Sequence, residues 1–198
     1  MAQTLKTLRE EARKCQACSL WANATQTVFG AGSPHARVML VGEQPGDEED
    51  KQGLPFIGPA GRLLDRALEA AGVDRDDVYI TNAVKHFKWQ ARGKRRLHKT
   101  PAQREIDACH QWLERELATV KPHVLVCLGA TAAKAVISKD FKVSTQRGRF
   151  VESPAAPYVF ATLHPSALLR VRDDAEREAA FETFVKDLGL IKRALGRP

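Results

Sequence analysis

The sequence predicts an α/β fold, a three-layer sandwich with a central, mostly parallel four-stranded sheet. Four short apolar runs rich in β-branched residues alternate with longer segments of helical periodicity. The runs do not alternate between apolar and polar residues, which is typical of strands buried on both faces of a parallel sheet. Polar residues and glycines follow each run directly, where parallel sheets form their ligand sites. The length of 198 residues fits one domain over residues 1–198.

The four predicted strands are Arg37–Gly42, Val78–Val84, His123–Gly129 and Tyr158–Leu163. Because the carboxyl ends of parallel strands meet at one edge of a sheet, the residues that follow them are candidates for one site. These residues are Glu43 to Gly46 after the first strand, Asn82 and Lys85-His86 at the second, Gly129 to Thr131 after the third, and His164 to Ser166 after the fourth.

Helical patterns occupy the intervals between the strands. Gly61–Ala71 places its leucines on one face and ends before a glycine, and Pro101–Val120 begins with Thr100 as N-cap. Three further helices are predicted over Leu5–Arg13, Thr131–Ile137 and Asp173–Leu195. The strand–helix alternation indicates one continuous α/β domain.

The composition excludes several classes of protein. A hydrophobic content of 43% supports a packed core and argues against general disorder. No apolar run reaches the ~18 residues that a membrane span requires. The N-terminal residues are charged throughout and lack the apolar stretch of a signal peptide. We therefore expect a cytoplasmic protein without a membrane partner.

The net charge of +7 is concentrated in residues 85–99, which contain seven basic residues and no acidic one. Aromatic and histidine side chains, including Phe87, Trp89 and His98, lie between these cations. Such a mixture suits phosphates and unstacked bases, so the segment predicts a nucleic-acid partner, although a solvated loop is the ordinary alternative. No helical or strand period accounts for the segment. The neighbouring positive charge should favour a neutral imidazole at His98.

Five side chains near the strand ends are candidate site residues. Glu43 and Gln44 would present a carboxylate and an amide to a cleft, in a loop that matches neither a P-loop nor a dinucleotide-binding motif. Asn82 is either a structural amide or a reader of a base edge such as O4 and N3–H of uracil. His164 is either structural or catalytic, and Phe56 either fills a gap or stacks on a flat ligand.

The four cysteines have spacings that allow a metal site. Cys15 and Cys18 form a C-x-x-C pair, and 17 residues separate Cys109 from Cys127. Four thiolates can bind zinc or an iron–sulfur cluster, and the spacing does not choose between them. The alternative is that Cys109 and Cys127 are buried thiols on a helix and a strand.

Together, these motifs resemble the uracil-DNA glycosylase superfamily, specifically its iron–sulfur family 4 branch. The likeness covers nearly the whole chain and follows the family's motif order: Gly42 to Gly46, Gly53 to Phe56, Gly58 to Gly61, Thr81-Asn82 with Lys85, and His164-Pro165-Ser166. Two departures, Gln44 and the cluster from Lys94 to His98, resemble the UdgX subgroup. Members of that subgroup excise uracil and remain covalently attached to the DNA through the histidine of this loop.

The resemblance implies a uracil-DNA glycosylase that acts once. His98 would attack C1′ of the sugar, Glu43 would offset the positive charge that develops there, and His164 would stabilise the departing base. The implied uracil-binding residues are Gly42, Gln44, Phe56, Asn82 and His164. The implied contacts to DNA or within the loop are Lys94, Arg95, Arg96, Ser166 and Arg170. Arg96 and Gln44 would hold the loop against the site.

The resemblance also implies a cofactor and a partner. A structural [4Fe–4S] cluster would be bound by Cys15, Cys18, Cys109 and Cys127. The partner would be uracil-containing DNA, with single strands accepted, and the protein would be a monomer. Three alternatives stay open: a family 4 glycosylase that turns over, a non-catalytic iron–sulfur module that binds DNA, and a zinc-stabilised domain.

Overall fold

The computed structural model describes residues 4–196 and confirms the predicted α/β sandwich. The strands of its main sheet are β1 Val38–Gly42, β2 Val78–Asn82, β5 Val124–Leu128, β6 Phe150–Val151 and β7 Tyr158–Thr162. Their order in the sheet is β2-β1-β5-β7-β6. The first four in this order are parallel, and β6 pairs antiparallel with β7 at the edge.

All four predicted strands are present, and the fifth is the short edge strand β6. A strand of two residues is too short to show a period in the sequence. The main sheet therefore has five strands where four were predicted. A second, two-stranded sheet consists of β3 Trp89–Arg92 and β4 Arg95–His98.

Helices cover both faces of the main sheet, because alternate apolar residues of each strand point to opposite faces and both sets are buried. Met39 and Val41 of β1 pack in one core with α1, α4 and α5, whereas Leu40 packs on the other face with α3, α8 and α9. The helices of the described chain are α1 Leu5–Ala12, α2 Asp47–Gln52, α3 Pro59–Ala70, α4 Gln103–Val120, α5 Ala130–Val136, α6 Val143–Gln146, α7 Pro165–Leu168, α8 Asp174–Leu188 and α9 Leu190–Leu195.

Two predicted helix boundaries were wrong. Helix α4 begins at Gln103, with Ala102 as its N-cap, and the Glu105 carboxylate accepts the Ala102 backbone N–H at 2.6 Å. The single long terminal helix is divided into α8 and α9 at Gly189. In both cases the apolar period continues through a boundary that local hydrogen bonding sets.

Residues 85–99 were predicted as a loop without regular structure, and the structure corrects this. The hairpin β3–β4 occupies the segment, and Gly93 makes its tight turn with φ of +59°. Its strands are four residues long and mostly polar, so neither burial nor alternation revealed them. Between residues 4 and 196, no helix is long and apolar enough to cross a membrane.

Candidate active site

A cavity of about 300 Å³ opens at the carboxyl edge of the parallel strands. A second cavity of about 370 Å³ adjoins it, is lined by Glu43, and shares His98 and His164 with the first. The structure therefore brings together most of the predicted site residues. Those that line the first cavity are Gln44, Phe56, Asn82, His98, His164, Ser166 and Arg170.

Asn82 lies at the inner end of the first cavity and presents an unpaired acceptor. Its side chain is 2% exposed, and its Oδ1 has no hydrogen-bond partner among the described residues. Gly42, on the adjacent strand, makes room for this amide, because a Cβ there would lie 2.5 Å from both Asn82 Oδ1 and Phe56 Cζ. A buried acceptor without a partner is costly, so a donor on a bound ligand is the expected partner.

Phe56 is held beside the cavity by a strained loop. Its φ of +56° lies in the left-handed region that a bulky side chain rarely adopts. A Cβ at Gly61 would lie 1.7 Å from the Phe56 carbonyl oxygen, so the glycine permits this close seating on α3. The rings of Phe56 and His164 are 5.9 Å apart between centroids. The two rings thus border the same space, which suits a flat ligand.

His164 is a neutral hydrogen-bond donor in this arrangement. Its Nδ1 accepts the Ser166 backbone N–H at 3.2 Å, so the proton of the neutral ring is assigned to Nε2. Burial, together with His98 and Arg170, lowers the pKa of His164 to about 4. At neutral pH the ring can therefore donate from Nε2 without carrying a charge.

His98 and Glu43 form a pair at the junction of the two cavities. His98 Nε2 lies 3.3 Å from Glu43 Oε1, and Thr131 Oγ1 donates to the other carboxylate oxygen. Burial lowers the pKa of His98 although Glu43 raises it, and the positive charge that contributes comes from Arg170. The lowered pKa agrees in direction with the neutral imidazole that was expected, but the contributing positive charge is Arg170 and not the cluster from Lys94 to His98. The ring thus keeps a lone pair at neutral pH.

Gln44 connects the first strand to the hairpin that carries His98. Its Oε1 accepts the Lys88 N–H at 2.9 Å, and its Nε2 donates to the Lys99 carbonyl at 3.0 Å. These two residues flank the hairpin, so one amide closes its base. The structure thus places Gln44 at the cavity with its amide bound to the hairpin backbone. This contact fits the predicted role of Gln44 in holding the loop, and the implied contact with uracil stays a prediction.

Arg96 fastens the hairpin to α2. Its Nε lies 2.5 Å from Asp47 Oδ1 and its Nη1 lies 2.7 Å from Asp50 Oδ2, while its guanidinium stacks on Phe87 and Trp89 at 5.4 and 5.3 Å from the ring centroids. The predicted role of Arg96 in the loop therefore has a geometric basis. The other predicted cations, Lys94 and Arg95 at the hairpin tip and Arg170 beside the cavities, are exposed.

Residues 29–189 match the family described as the Uracil DNA glycosylase superfamily. This chain belongs to that superfamily. A Type-4 uracil-DNA glycosylase of Thermotoga maritima is 37% identical over 192 residues, covering 96% of both chains. One of Sulfurisphaera tokodaii is 38% identical over 174 residues, covering 84% of this chain and 76% of the relative. One of Archaeoglobus fulgidus is 33% identical over 186 residues, covering 89% and 90%.

The motif-based resemblance to the superfamily is thus confirmed, while the finer resemblance to the UdgX subgroup stays a prediction. Sequence reasoning missed buried carboxylates in this superfamily member, among them Glu49 and Glu116. Glu49 accepts the backbone N–H of Gly46 at 3.1 Å and of Gly58 at 2.8 Å, so it ties together the two loops around the cavity. An acidic residue three positions after Gly46 is the pattern of a helix cap, and this pattern could have identified Glu49 from the sequence.

Glu116, the second missed carboxylate, forms a buried ion pair with Lys85, which the sequence analysis had named. Lys85 is 1% exposed, and its ammonium lies 2.5 Å from Glu116 Oε2 and 2.7 Å from the Asn82 carbonyl. Tyr79 Oη and Thr81 Oγ1 donate to the same carboxylate. This network fixes the backbone of the strand end that presents Asn82. Glu116 lies within the apolar face of α4, where periodicity alone predicts only core.

The structure brings together three of the four cysteines of this glycosylase-like fold. Trp112 of α4 donates its Nε1–H to Cys15 Sγ at 3.1 Å. Cys109 lies three residues before Trp112 on the same helix, and its Sγ accepts the Lys85 N–H at 3.2 Å. Burial raises the pKa of Cys109 to about 12, and the proximity of Cys15 and Cys18 adds to that rise. These thiols therefore share one neighbourhood.

Cys127 has a different environment. It lies within β5, between Val41 of β1 and Ala161 of β7, and burial alone raises the pKa of its thiol. His86, by contrast, is buried and directly follows Lys85, whose N–H donates to Cys109 Sγ. Its own Nε2 lies 2.9 Å from Thr27 Oγ1. Within residues 4–196, no three cysteine, histidine or acidic side chains converge tightly enough to hold a single metal ion.

Proposed function

We propose that this protein excises uracil from DNA and then bonds to the resulting sugar through His98. The unpaired acceptor of Asn82, facing a cavity of about 300 Å³ beside Phe56, carries the first part of the proposal. The relatives' names, which state uracil-DNA glycosylase, support it. The position of His98 at 3.3 Å from Glu43, at the junction of the two cavities, supports the second part.

Uracil recognition follows from the hydrogen-bonding capacity of Asn82. A nucleotide flipped out of the strand would stack its base against Phe56. Asn82 Oδ1 would accept N3–H of uracil, and its amide nitrogen would donate to O4. Cytosine presents an acceptor at N3 and a donor at the exocyclic position, so both contacts become repulsive. The site therefore discriminates uracil from cytosine by paired polar contacts.

Base loss needs stabilisation of opposite charges on its two products. His164 would donate Nε2–H to uracil O2, where negative charge develops as the C1′–N1 bond breaks. The neutral ring is suited to this role because a charged one would have to be desolvated at this buried position. Glu43 would face the oxocarbenium-like sugar, where its carboxylate offsets the positive charge.

The covalent step requires only groups that are present. The bonding electrons of C1′–N1 leave with uracil, and the lone pair of a His98 ring nitrogen forms a new bond to C1′. The alkylated ring can then lose its remaining N–H proton to Glu43 or solvent and become neutral. Because the hairpin holds the imidazole at the cavity, its effective concentration exceeds that of a diffusing group.

The proposal is tested with a uracil-containing oligonucleotide on a denaturing gel. We expect a shifted band that survives boiling in detergent, and none with a matched cytosine oligonucleotide. His98→Ser should release uracil yet give no shifted band, leaving an abasic site. A wild-type protein that yields only free abasic DNA would show that the glycosylase turns over and that His98 merely contacts DNA. Retention of uracil would contradict the glycosylase itself.

We also propose that this protein binds a structural [4Fe–4S] cluster. Cys15, Cys18 and Cys109 would supply three ligands, since the structure gathers these thiols, and His86 is the candidate for the fourth position that Cys127 was expected to fill. A cluster separates its ligands more widely than a single ion does, which fits thiols that share a neighbourhood without converging on a point. When bound, the cluster would tie the N-terminal segment to α4.

The remaining expectations concern the substrate and the assembly. We propose uracil-containing DNA as the partner, with single strands accepted, because an unpaired strand avoids the free energy of opening a base pair before the nucleotide is flipped. The exposed cations Lys94, Arg95 and Arg170 would contact phosphates around the cavity. The protein would act as a monomer.

A further inference from the structure

Residues 23–27 lie between α2 and the hairpin β3–β4 and bond to both. This segment, which we call the brace, follows the short turn Ser19–Ala22 after the C-x-x-C pair. Trp89 Nε1–H of the hairpin donates to the Asn23 carbonyl at 2.9 Å. Gln26 Nε2 donates to the Asp50 and Lys51 carbonyls of α2 at 3.1 and 2.9 Å. The brace thus joins two elements that are distant in sequence.

The central contact of the brace is a buried carboxylate. Asp50 is fully buried and accepts the Thr25 backbone N–H at 2.9 Å and the Thr25 hydroxyl at 2.6 Å. The same carboxylate binds Arg96 of β4 at 2.7 Å, and Arg96 Nη1 also lies 3.3 Å from Thr25 Oγ1. Thr25, Asp50 and Arg96 therefore form one closed hydrogen-bond network. Arg96 lies two residues before His98, so the network ends close to the proposed nucleophile.

The brace also reaches the start of the hairpin segment. Thr27 Oγ1 lies 2.9 Å from His86 Nε2, and Val28, directly after the brace, donates its N–H to the Lys85 carbonyl at 2.8 Å. The brace therefore contacts His86 just before the hairpin and Trp89 and Arg96 within it. The groups expected to act on uracil are held by other contacts, namely Lys85 for the Asn82 backbone and Ser166 for His164.

We propose that the brace is a positioning element for His98, which decides whether imidazole or water reacts at C1′. This inference rests on the proposed covalent function. Water competes for the same carbon once uracil has left, so a small displacement of the imidazole changes the product without preventing base loss. A misplacement of ~1 Å can cost ~100-fold in the rate of such a positioned step.

Two substitutions test the brace. Trp89→Phe removes the N–H to Asn23 and keeps an aromatic ring under Arg96, and Thr25→Val removes the hydroxyl and keeps the backbone bond to Asp50. Thr25→Ser retains the hydroxyl and serves as the rescue variant. Thr119→Val is the matched control, because it removes a hydroxyl that donates to the Arg115 carbonyl within α4.

The measurement is the ratio of covalent adduct to free abasic DNA at saturating protein, with uracil release followed separately. We expect the double variant Thr25→Val/Trp89→Phe to raise the free abasic fraction about 10-fold, a part of the ~100-fold that a displaced group can lose. Uracil release should change less than about 2-fold, and Thr25→Ser and Thr119→Val should keep the wild-type ratio. An unchanged ratio in the double variant, or a parallel fall of adduct and uracil release, overturns the proposal.

Hydrogen exchange separates failure of the brace from failure of covalent capture. If the wild-type protein forms no adduct, capture by His98 is wrong, but the restraint on the hairpin is still measurable. The Lys99 N–H, which donates to the Lys88 carbonyl at 2.9 Å, reports the closure of the hairpin. Its protection should fall at least about 10-fold in the double variant and stay unchanged in Thr119→Val. Unchanged protection in the double variant would show that the brace positions nothing.

Discussion

The pocket for the base and the hairpin that carries His98 are held in place by different forces. Asn82 ends a fully buried strand, and Gly42 beside it belongs to the same sheet, so packing and the buried Lys85–Glu116 network fix the pocket. The hairpin is outside that sheet and is attached through the side chains of Gln44 and Arg96. Base excision should therefore depend on the core of the fold, whereas capture should depend on a few polar contacts that can be removed singly.

The largest effect is expected from a change inside the pocket. Asn82→Ala removes both polar contacts to the uracil edge and should slow uracil release by ~100-fold or more, as loss of a preorganised hydrogen-bonding group does. Because the sugar can be captured only after the base has left, adduct formation should slow equally. Single-turnover assays of both products check this, with thermal melting to confirm folding. Unequal losses would break the distinction between the two regions.

A substitution in the hairpin should separate the two products. Arg96→Lys keeps the charge, but an ammonium cannot bind Asp47 and Asp50 as the planar guanidinium does. We expect the adduct to form ~10-fold more slowly while uracil release changes less than about 2-fold, because His98 loses its fixed position. Quantification of the gel bands against released uracil gives both rates. A fall in uracil release of the same size would mean that Arg96 supports the pocket.

A moderate effect is expected from lowering the pH, which should reduce adduct formation and leave uracil release nearly unchanged, as Arg96→Lys should. The pKa of His98 is held below its usual 6.5 by burial, so the imidazole is neutral at pH 7 and loses its lone pair as the pH falls through that lowered pKa. His164 protonates only near its pKa of about 4. As the pH is lowered from 7 through the pKa of His98, the adduct fraction should therefore fall, while uracil release should stay nearly constant until the pH approaches the pKa of His164, about 4. A parallel decline of both, followed in buffers of constant ionic strength, would contradict this assignment.

The smallest effect is expected at Cys127. Cys127→Ala should retain the visible absorbance and the iron content of the wild-type protein, because this thiol lies within the sheet at β5. Cys109→Ala should lose both, and His86→Ala should reduce the iron content. Iron analysis of the three purified variants decides the ligand set. Loss of iron in Cys127→Ala with full retention in His86→Ala would restore the ligands inferred from the resemblance.

Much of the fold and of the pocket was predictable because burial leaves a pattern in the sequence. The four long parallel strands are apolar throughout, and residues that follow parallel strands necessarily meet at one edge, which placed Asn82 and His164 together. The hairpin was not predictable, since its exposed residues carry no period. Spacing alone could not choose between Cys127 as a metal ligand and as a buried thiol of a strand, nor show which backbone groups the Gln44 amide binds.

The central claim, capture by His98 after base loss, is tested most directly by counting turnovers. The protein is mixed with a large excess of uracil-containing oligonucleotide, and released uracil and covalent adduct are measured in the same samples over time. We predict that uracil release stops at one molecule per protein molecule and that adduct reaches the same amount. Uracil release that continues beyond one equivalent, with little adduct, would contradict the account.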